Sequence, residues 1–407
     1  MGYGVVSGPG HLGGPAGFVK LKSLAVSRSL RLFVCLLVAI TLASPLAAQK
    51  GGKKKKKKGD EEPPTQQLEV LPDPPSTSSV ETTHLGYLLS PLSAKGLLSQ
   101  QTHDAIRALM RNPHHASVVK LRAFVAGSGD VRRIQTIVSE EFSAKHQPLP
   151  SVSVVQVGAL PLEGAQVLIE AAVSGKKALN PHGVAFFSGQ QVVADPKPDN
   201  PLGPVLPTVE KSLANLLKAA EGVGVSASSM MRVTCLVSSL ADYTAVSQRA
   251  AQVFPGATLS IVQLQRGPLQ SVAECEGVGR LPAGEGNAVT LANPPGLTPS
   301  PNYSQVALVR APRIVFSTLQ MAFGNSDADA RLAFERLSRL LEAGKTSIKN
   351  VFFTQVYPLT NSSLERVRAT RFFYLDKTRP PASTMIVFEG LPSLDASFGL
   401  EVIAAQN

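Results

Sequence analysis

The chain has 407 residues, 43% of them hydrophobic and 5% aromatic, with no tryptophan. At roughly 100–200 residues per domain, that length accommodates two to four hydrophobic cores. The formal net charge of +11 sits entirely at one end: residues 1–58 carry eleven cations and no acid, whereas 59–407 carry 29 of each sign. The body therefore lacks the basic footprint of a nucleic-acid binder, and no nucleic-acid partner is expected.

Arg28 and Arg31 precede an apolar run from Leu32 to Ala43, followed by Ser-Pro-Leu-Ala-Ala up to Ala48. Cationic, apolar and small-residue segments in that order make a secretory signal, and the run is short for a membrane span. Residues 1–48 are read as a signal peptide and the protein as exported, periplasmic or secreted. The rival reading is an uncleaved N-terminal anchor, because Lys53 to Lys58 oppose translocation of the chain beyond them. The lysine run and the Pro/Ser/Thr-rich stretch after it cannot bury a core, so 49–79 are expected to be a disordered tether. Its lysines suit contact with an anionic surface.

One strand signature then appears three times: PSVSVVQVGALP from Pro150, ATLSIVQLQ from Ala257 and PASTMIVFEGLP from Pro381. Each is followed by a break and a glutamate-bearing strand, VLIEAAV from Val167, SVAECEG from Ser271 and GLEVIAA from Gly399. Recurrence at about a hundred residues indicates a repeated domain, with repeats at 80–178, 179–282 and 283–407.

Within the first repeat, His84 to Ser93 reads as a strand pair with a turn, and Leu97 to Met110 as a helix carrying Leu98, Ile106 and Leu109. Val118 to Val125 is a strand with Val119, Leu121, Ala123 and Val125 on one face and Lys120 and Arg122 on the other. Val131 to Phe142 is a second helix. The second repeat has a strand at Val184 to Gln190, a helix with Thr208 as candidate N-cap, a strand at Met231 to Val237 and a helix at Tyr243 to Val253. The third has a strand at Arg313 to Met321 and a helix at Asp329 to Glu342 with Leu332, Ala333, Leu337, Leu340 and Leu341 inward. A strand from Val351 and a helix at Leu364 to Phe373 come next. Two helices cover only one face of such a sheet, so the semi-polar second faces are expected to pack sheet against sheet around clefts.

Gly344-Lys345-Thr346-Ser347 imitates the end of a phosphate-binding loop, but Arg339 stands where the loop needs glycine and a helix precedes it, so it is a helix stop. Cys235 and Cys275 lie in strand-like segments of one repeat and read as buried thiols or, after export, a disulfide. His114-His115 lacks partners at ligand spacing. No metal site or cofactor is expected.

The order of elements, Ser188-Gly189-Gln190 after the strand of the second repeat, Tyr303-Ser304-Gln305, the PAST…EGLP strand and the terminal Glu-bearing strand together resemble the Rid superfamily. These are the RidA-like enamine/imine deaminases, also labelled endoribonuclease L-PSP. The resemblance covers roughly 80–407, with Ser90-Pro91 in place of Ser-Gly in the first repeat. It implies an α+β, chorismate-mutase-like fold. Family members are homotrimers with clefts between subunits, so three tandem repeats imply an intramolecular pseudotrimer and a monomeric chain.

The family's signature strand carries an arginine that clamps the substrate carboxylate. Here its positions are Val152, Leu259 and Ser383, and the cysteine two residues on is Val154, Ile261 and Met385. A helix-borne asparagine of the family aligns with Gln135, Ser247 and Arg368. The glutamate that orients the attacking water is retained as Glu274, with Leu168 and Gly399 in the other repeats. The resemblance thus implies Glu274 as the catalytic position, and Tyr303, Gly189, Ser188 and Arg368 as ligand-binding. Three function classes remain: a Rid-like protein binding a small metabolite between repeats without the usual 2-imino acid deamination; an imine or enamine hydrolase with a rearranged site; and a structural or partner-binding envelope protein.

Overall fold

A computed structural model describes residues 70–112, 115–127, 129–195 and 202–406. The expected signal segment, the lysine run, most of the tether, Cys35 and His114 lie outside the described residues. Among those described, no helix is long and apolar enough to cross a membrane. The described residues form a mixed α+β structure of three sheets and six α-helices.

In chain order the elements are β1 (Thr77–Glu81), β2 (Leu85–Leu89), α1 (Leu98–Met110), β3 (Ser117–Ala126), α2 (Arg133–Ala144), β4 (Ser151–Val157) and β5 (Val167–Ser174). There follow β6 (Val184–Val193), α3 (Leu206–Glu221), β7 (Met230–Val237), α4 (Tyr243–Val253), β8 (Thr258–Gln263) and β9 (Val272–Arg280). The last third comprises β10 (Val289–Ala292), β11 (Val306–Val309), β12 (Arg313–Ser317), β13 (Gln320–Phe323), α5 (Asp327–Ala343), β14 (Val351–Pro358), α6 (Asn361–Arg371), β15 (Ala382–Met385) and β16 (Ala396–Gln406).

The sheets run β2-β5-β3-β4, β10-β11-β6-β9-β7-β8 and β1-β12-β16-β14-β15, with β13 also on β16. The four-strand runs β2-β5-β3-β4, β6-β9-β7-β8 and β12-β16-β14-β15 have matching contacts, antiparallel, antiparallel and parallel. The parallel contact joins the middle strand to the signature strand, and the helix between them supplies the crossover such pairs require. Helix pairs α1–α2, α3–α4 and α5–α6 each close a separate core against one sheet face.

The middle strands share a further irregularity. Their antiparallel registers shift between Val118 and Lys120, between Met230 and Arg232, and between Val351 and Phe353. A bulge leaves one residue unpaired and breaks the alternation of faces. Val119 therefore does not join Leu121, Ala123 and Val125 beneath the helices, as strict alternation predicts; it turns with Met231 and Phe352 into a cluster fed by all three sheets.

Local capping and phase account for other differences. Thr208 lies inside the first turn of α3, and Val205 is the N-cap. α5 starts earlier than expected, because Ser326 and Asp329 form a reciprocal capping box. Its buried stripe is Ala330, Ala333, Phe334, Leu337 and Leu341, at helical spacing, whereas Leu332 is 45% exposed. Gly344 ends this helix with φ −79°, and Lys345 takes the left-handed turn at φ +59°. Cys235 and Cys275 stand directly opposite each other in the β7–β9 ladder and form a disulfide.

Some strands pair across the repeat boundaries expected from the sequence. β1, which includes residues assigned to the tether, pairs with β12, and His84 to Ser93 supplies one strand rather than two. β10 and β11 extend the second sheet through β11–β6. Edge strands join whichever unpaired edge the fold brings near, and sequence order does not specify that edge.

The second faces of the sheets meet in three layers. Along β3 the face runs from Val119 through Lys120 and Arg122 to Phe124 and Ala126, and the first and last belong to separate apolar clusters. Between them lies a buried ionic layer. Arg122 pairs with Glu170 and Glu276, Arg232 donates to Glu276 at 2.8 Å, and Lys120 meets Glu401 at 2.7 Å. Gln355 adds a hydrogen bond to Glu276 at 2.8 Å, and Thr234, Ser260, Ser153 and Tyr357 also donate to these glutamates. The semi-polar faces expected to line clefts are thus largely spent on one another.

Candidate functional site

Glu170, Glu276 and Glu401 oppose Arg122, Thr234 and Gln355 at matching ladder steps. Two residues before each glutamate, the chain reaches the step occupied by Leu168, Glu274 and Gly399, which face Phe124, Leu236 and Tyr357. Leu168 is buried in the apolar cluster shared by the three sheets. A Cβ at Gly399 would lie 2.8 Å from Leu319 Cδ1, so the leucine fills that place. Only Glu274 puts a carboxylate at this level.

Glu274 fits because residue 189 has no side chain. A Cβ at Gly189 would lie 1.9 Å from Glu274 Oε1. β6 bulges against β9 at this point, between Phe187 and Gln190. Around the bulge the Ser-Gly-Gln segment is fixed on both sides. Ser188 Oγ donates to the Ser304 carbonyl at 2.6 Å and accepts from the Ser383 N–H at 2.8 Å. The Gly189 N–H donates to Thr384 Oγ1 at 3.1 Å, and Gln190 Nε2 to Gln305 Oε1 at 2.9 Å. The Ser383 and Thr384 bonds clamp β6 of the second sheet to β15 of the third, and the Ser304 and Gln305 bonds tie it to the segment leading into β11.

The result is a cavity of about 140 Å³ lined by Gly189, Glu274, Tyr303, Arg368, Arg371 and Ser383, with Gln191, Asn302 and Met385 among its other walls. Ser188 is fully buried behind it and fastens the wall rather than lining it. Ser383 is opposite Thr354, whose hydroxyl donates to its Oγ at 2.8 Å. Val152 and Leu259 stand at the corresponding steps of β4 and β8, opposite Leu121 and Val233, and both pack into helix-covered cores.

Electrostatics set Glu274 apart from its neighbours. Burial, with the Glu276 charge adding to it, pushes its carboxyl up to about 8 against the Met385 N–H and the Arg368 charge. Glu170 is equally buried, yet Arg122 and Arg232 overcome desolvation and bring it to about 2. Tyr303 is raised by burial and then by Glu274. Arg371 is lowered to about 10 by burial and then by Arg368. At neutral pH the cavity therefore holds a protonated carboxyl and guanidinium groups, a hydrogen-bond donor set.

Arg368 is partly exposed and donates to Glu365 at 2.6 Å. Arg371 is a site residue that sequence reasoning missed. The available signal is its spacing of three from Arg368, which puts both on one helix face. Arg368 and Gln191 also border a second cavity of about 500 Å³, with Leu264, Val272, Leu364 and Ile386 on its walls. Among the described residues no cluster of His, Cys, Asp or Glu has the makings of a metal site.

No protein-family model matches the chain, and no curated protein matches it. Solved structures it is similar to include a protein of unknown function of the conserved Rid family from Yersinia pestis, at 16% identity and TM-score 0.27, covering 29% of this chain and 99% of that one. A member of the YjgF/YER057c/UK114 family from Mycobacterium tuberculosis matches at 20% identity and TM-score 0.22, over 29% and 98%. A YjgF-family protein from Neisseria meningitidis matches at 14% identity and TM-score 0.22, over 29% and 95%. At such scores these likenesses carry no argument about this chain's activity.

Proposed function

We propose that residues 80–407 are three divergent Rid-like repeats in an intramolecular pseudotrimer, and that the protein binds a small metabolite in the cleft between the second and third. Three sheets with one strand order, one shared bulge and matched ladder steps support the repeat reading. Covalent linkage holds the units at an effective concentration of about millimolar or more, and frees each to diverge. A solution mass of one chain is expected, and an obligate trimer of chains counts against it.

The observation that carries the binding reading is the contrast at one ladder step. Glu274 faces a polar cavity, whereas Leu168 and the Gly399–Leu319 pair fill the matching places. Site and fold are separate arguments, and the usual 2-imino acid deamination is not supported, since Val152, Leu259 and Ser383 offer no guanidinium. Mass spectrometry of the native chain should retain a bound small molecule, and Glu274→Gln should alter its retention. A chain without small-molecule ligands that captures an envelope protein instead favours a scaffold.

A second reading is supported by Glu274 itself. A buried carboxyl with its pKa near 8 is matched to proton transfer near neutral pH, which suits imine or enamine hydrolysis in a rearranged site. Semicarbazone formation from amino-acid-derived imines separates the two readings: slowing of that trapping by the protein, abolished in Glu274→Gln, identifies a hydrolase. The Cys235–Cys275 disulfide supports an oxidising compartment and so export.

A further inference from the structure

We propose that Arg371 is the anion-holding residue of this cleft and that the ligand is a monocarboxylic acid with an apolar tail, its carboxylate on Arg371 and its tail in the adjoining larger chamber. This rests on the reading that the cleft between β6 and β15 takes a small molecule.

Arg371 is the last residue of α6, and 2% of it is exposed. Its Nε and Nη2 are buried with no hydrogen-bond partner among the described residues. Its guanidinium also lies 5.3 Å from the ring of Phe372, a contact that leaves these donors unused. Buried guanidinium groups are ordinarily paired, because an unmatched charge out of water is costly. Arg122 and Arg232 follow that rule, each reaching both Glu170 and Glu276. Arg371 departs from it, and it is one of the residues that line the cavity.

The charges around that cavity define the ligand's charge. Arg368 is matched by Glu365. Glu274, on the facing strand, shares its Oε1 with the Met385 N–H and its Oε2 with Gln191. With the Glu274 carboxyl kept protonated by its burial, one guanidinium charge is left over, which matches a monoanion. Its planar fork of donors suits the two oxygens of a carboxylate.

The cavity has room for a head group only, at about 140 Å³. The second cavity, about 500 Å³, shares Arg368 and Gln191 with the first and is lined both by aliphatic residues such as Leu264, Val272 and Ile386 and by polar ones such as Ser238 and Asn361. A polar end with one cation, beside a larger and partly aliphatic space, is complementary to a carboxylic acid with a hydrocarbon tail.

The test titrates the full chain at pH 7 with acetate, butyrate and octanoate, using octanol as the uncharged control, by calorimetry. Affinity is expected to rise along the acid series, and octanol to bind at least tenfold more weakly than octanoate. Arg371→Met should lose octanoate affinity at least tenfold without lowering the melting temperature, and Arg371→Lys should keep part of it. Val193→Trp, at a chamber residue 44% exposed, narrows the chamber; it should weaken octanoate and spare acetate, and it provides a second variant if Arg371→Met fails to fold. Equal binding of octanoate and octanol, or wild-type octanoate affinity in Arg371→Met, overturns the assignment while leaving a small-molecule cleft in place. Absence of binding across the series also overturns it; only a native chain free of any small molecule removes the cleft reading as well.

Discussion

Glu274 occupies the space that any side chain at residue 189 would need, with Oε1 1.9 Å from where a Cβ on Gly189 would stand. The third sheet shows the complementary choice. Leu319 has a side chain and the residue it meets, Gly399, has none. A leucine at 189 should therefore clash in the presence of Glu274 and be relieved by its removal. We expect Gly189→Leu to cost about 1–3 kcal/mol, the range for overpacking, and Gly189→Leu/Glu274→Gly to recover part of that. Urea unfolding of the double-mutant cycle measures the coupling; additive effects argue against the exchange.

The Glu274 carboxyl gives stability a pH dependence of definite sign. Its pKa in the folded chain is about 8, against an ordinary 4.5, so between these values the folded state holds a proton that the unfolded state has released. Its contribution is complete below 4.5 and is lost as pH rises through 8, at up to about 1.4 kcal/mol per pH unit. Glu274→Gln should flatten that slope. Unfolding free energies from pH 5 to 9 for both proteins check this, and parallel curves would refute it.

Glu170 works in the opposite direction. Burial would raise it, but Arg122 and Arg232 hold it at about 2, so its contribution is present above the ordinary 4.5 and is lost as pH falls toward 2. Acid unfolding of wild type is expected to move to higher pH in Thr234→Val and Ser260→Ala, whose hydroxyls donate to Glu170. Circular dichroism along an acid titration gives the midpoints.

Glu276 accepts from Arg122 and Arg232 and from Gln355. Glu276→Ala leaves both guanidinium groups facing one glutamate fewer in a dry interior, and should destabilise by about 3–5 kcal/mol. A loss below about 1 kcal/mol in denaturant titrations would mean that water or a shifted neighbour replaces the carboxylate.

The Cys235–Cys275 disulfide closes a separation of 40 residues inside the second core. Cys235→Ser/Cys275→Ser should be destabilised by about 2–4 kcal/mol. Alkylation of the denatured, unreduced chain should leave both cysteines unlabelled; labelling at either shows that the pair is reduced.

Much of the architecture is legible in residue order. β-Branched runs broken by glycine and proline specify strands, and apolar residues at helical spacing specify helices. Their threefold recurrence can be read without coordinates. The helix Tyr243–Val253 is legible to the residue, because apolar spacing and its flanking breaks agree there. Val119 and Leu332 are not: a bulge and a one-residue change of helix phase reverse a side chain's face while leaving composition unchanged. Strand partners such as β1 with β12 are equally out of reach, since 236 positions separate Thr77 from Arg313 and pairing depends on the edge left open.

The site divides in the same way. Gly189, Glu274, Tyr303, Arg368 and Ser383 are each identifiable by residue type, and the sequence alone determined that no arginine stands at Val152, Leu259 or Ser383. Only the tertiary structure decided that those five line one cavity and that Leu319 closes another place of the same kind. It also decided that Arg371, unremarkable in sequence, has buried donors with no partner among the described residues. A residue's identity is carried by the chain, but its charge state and its neighbours depend on burial, and burial exists only once distant strands have met.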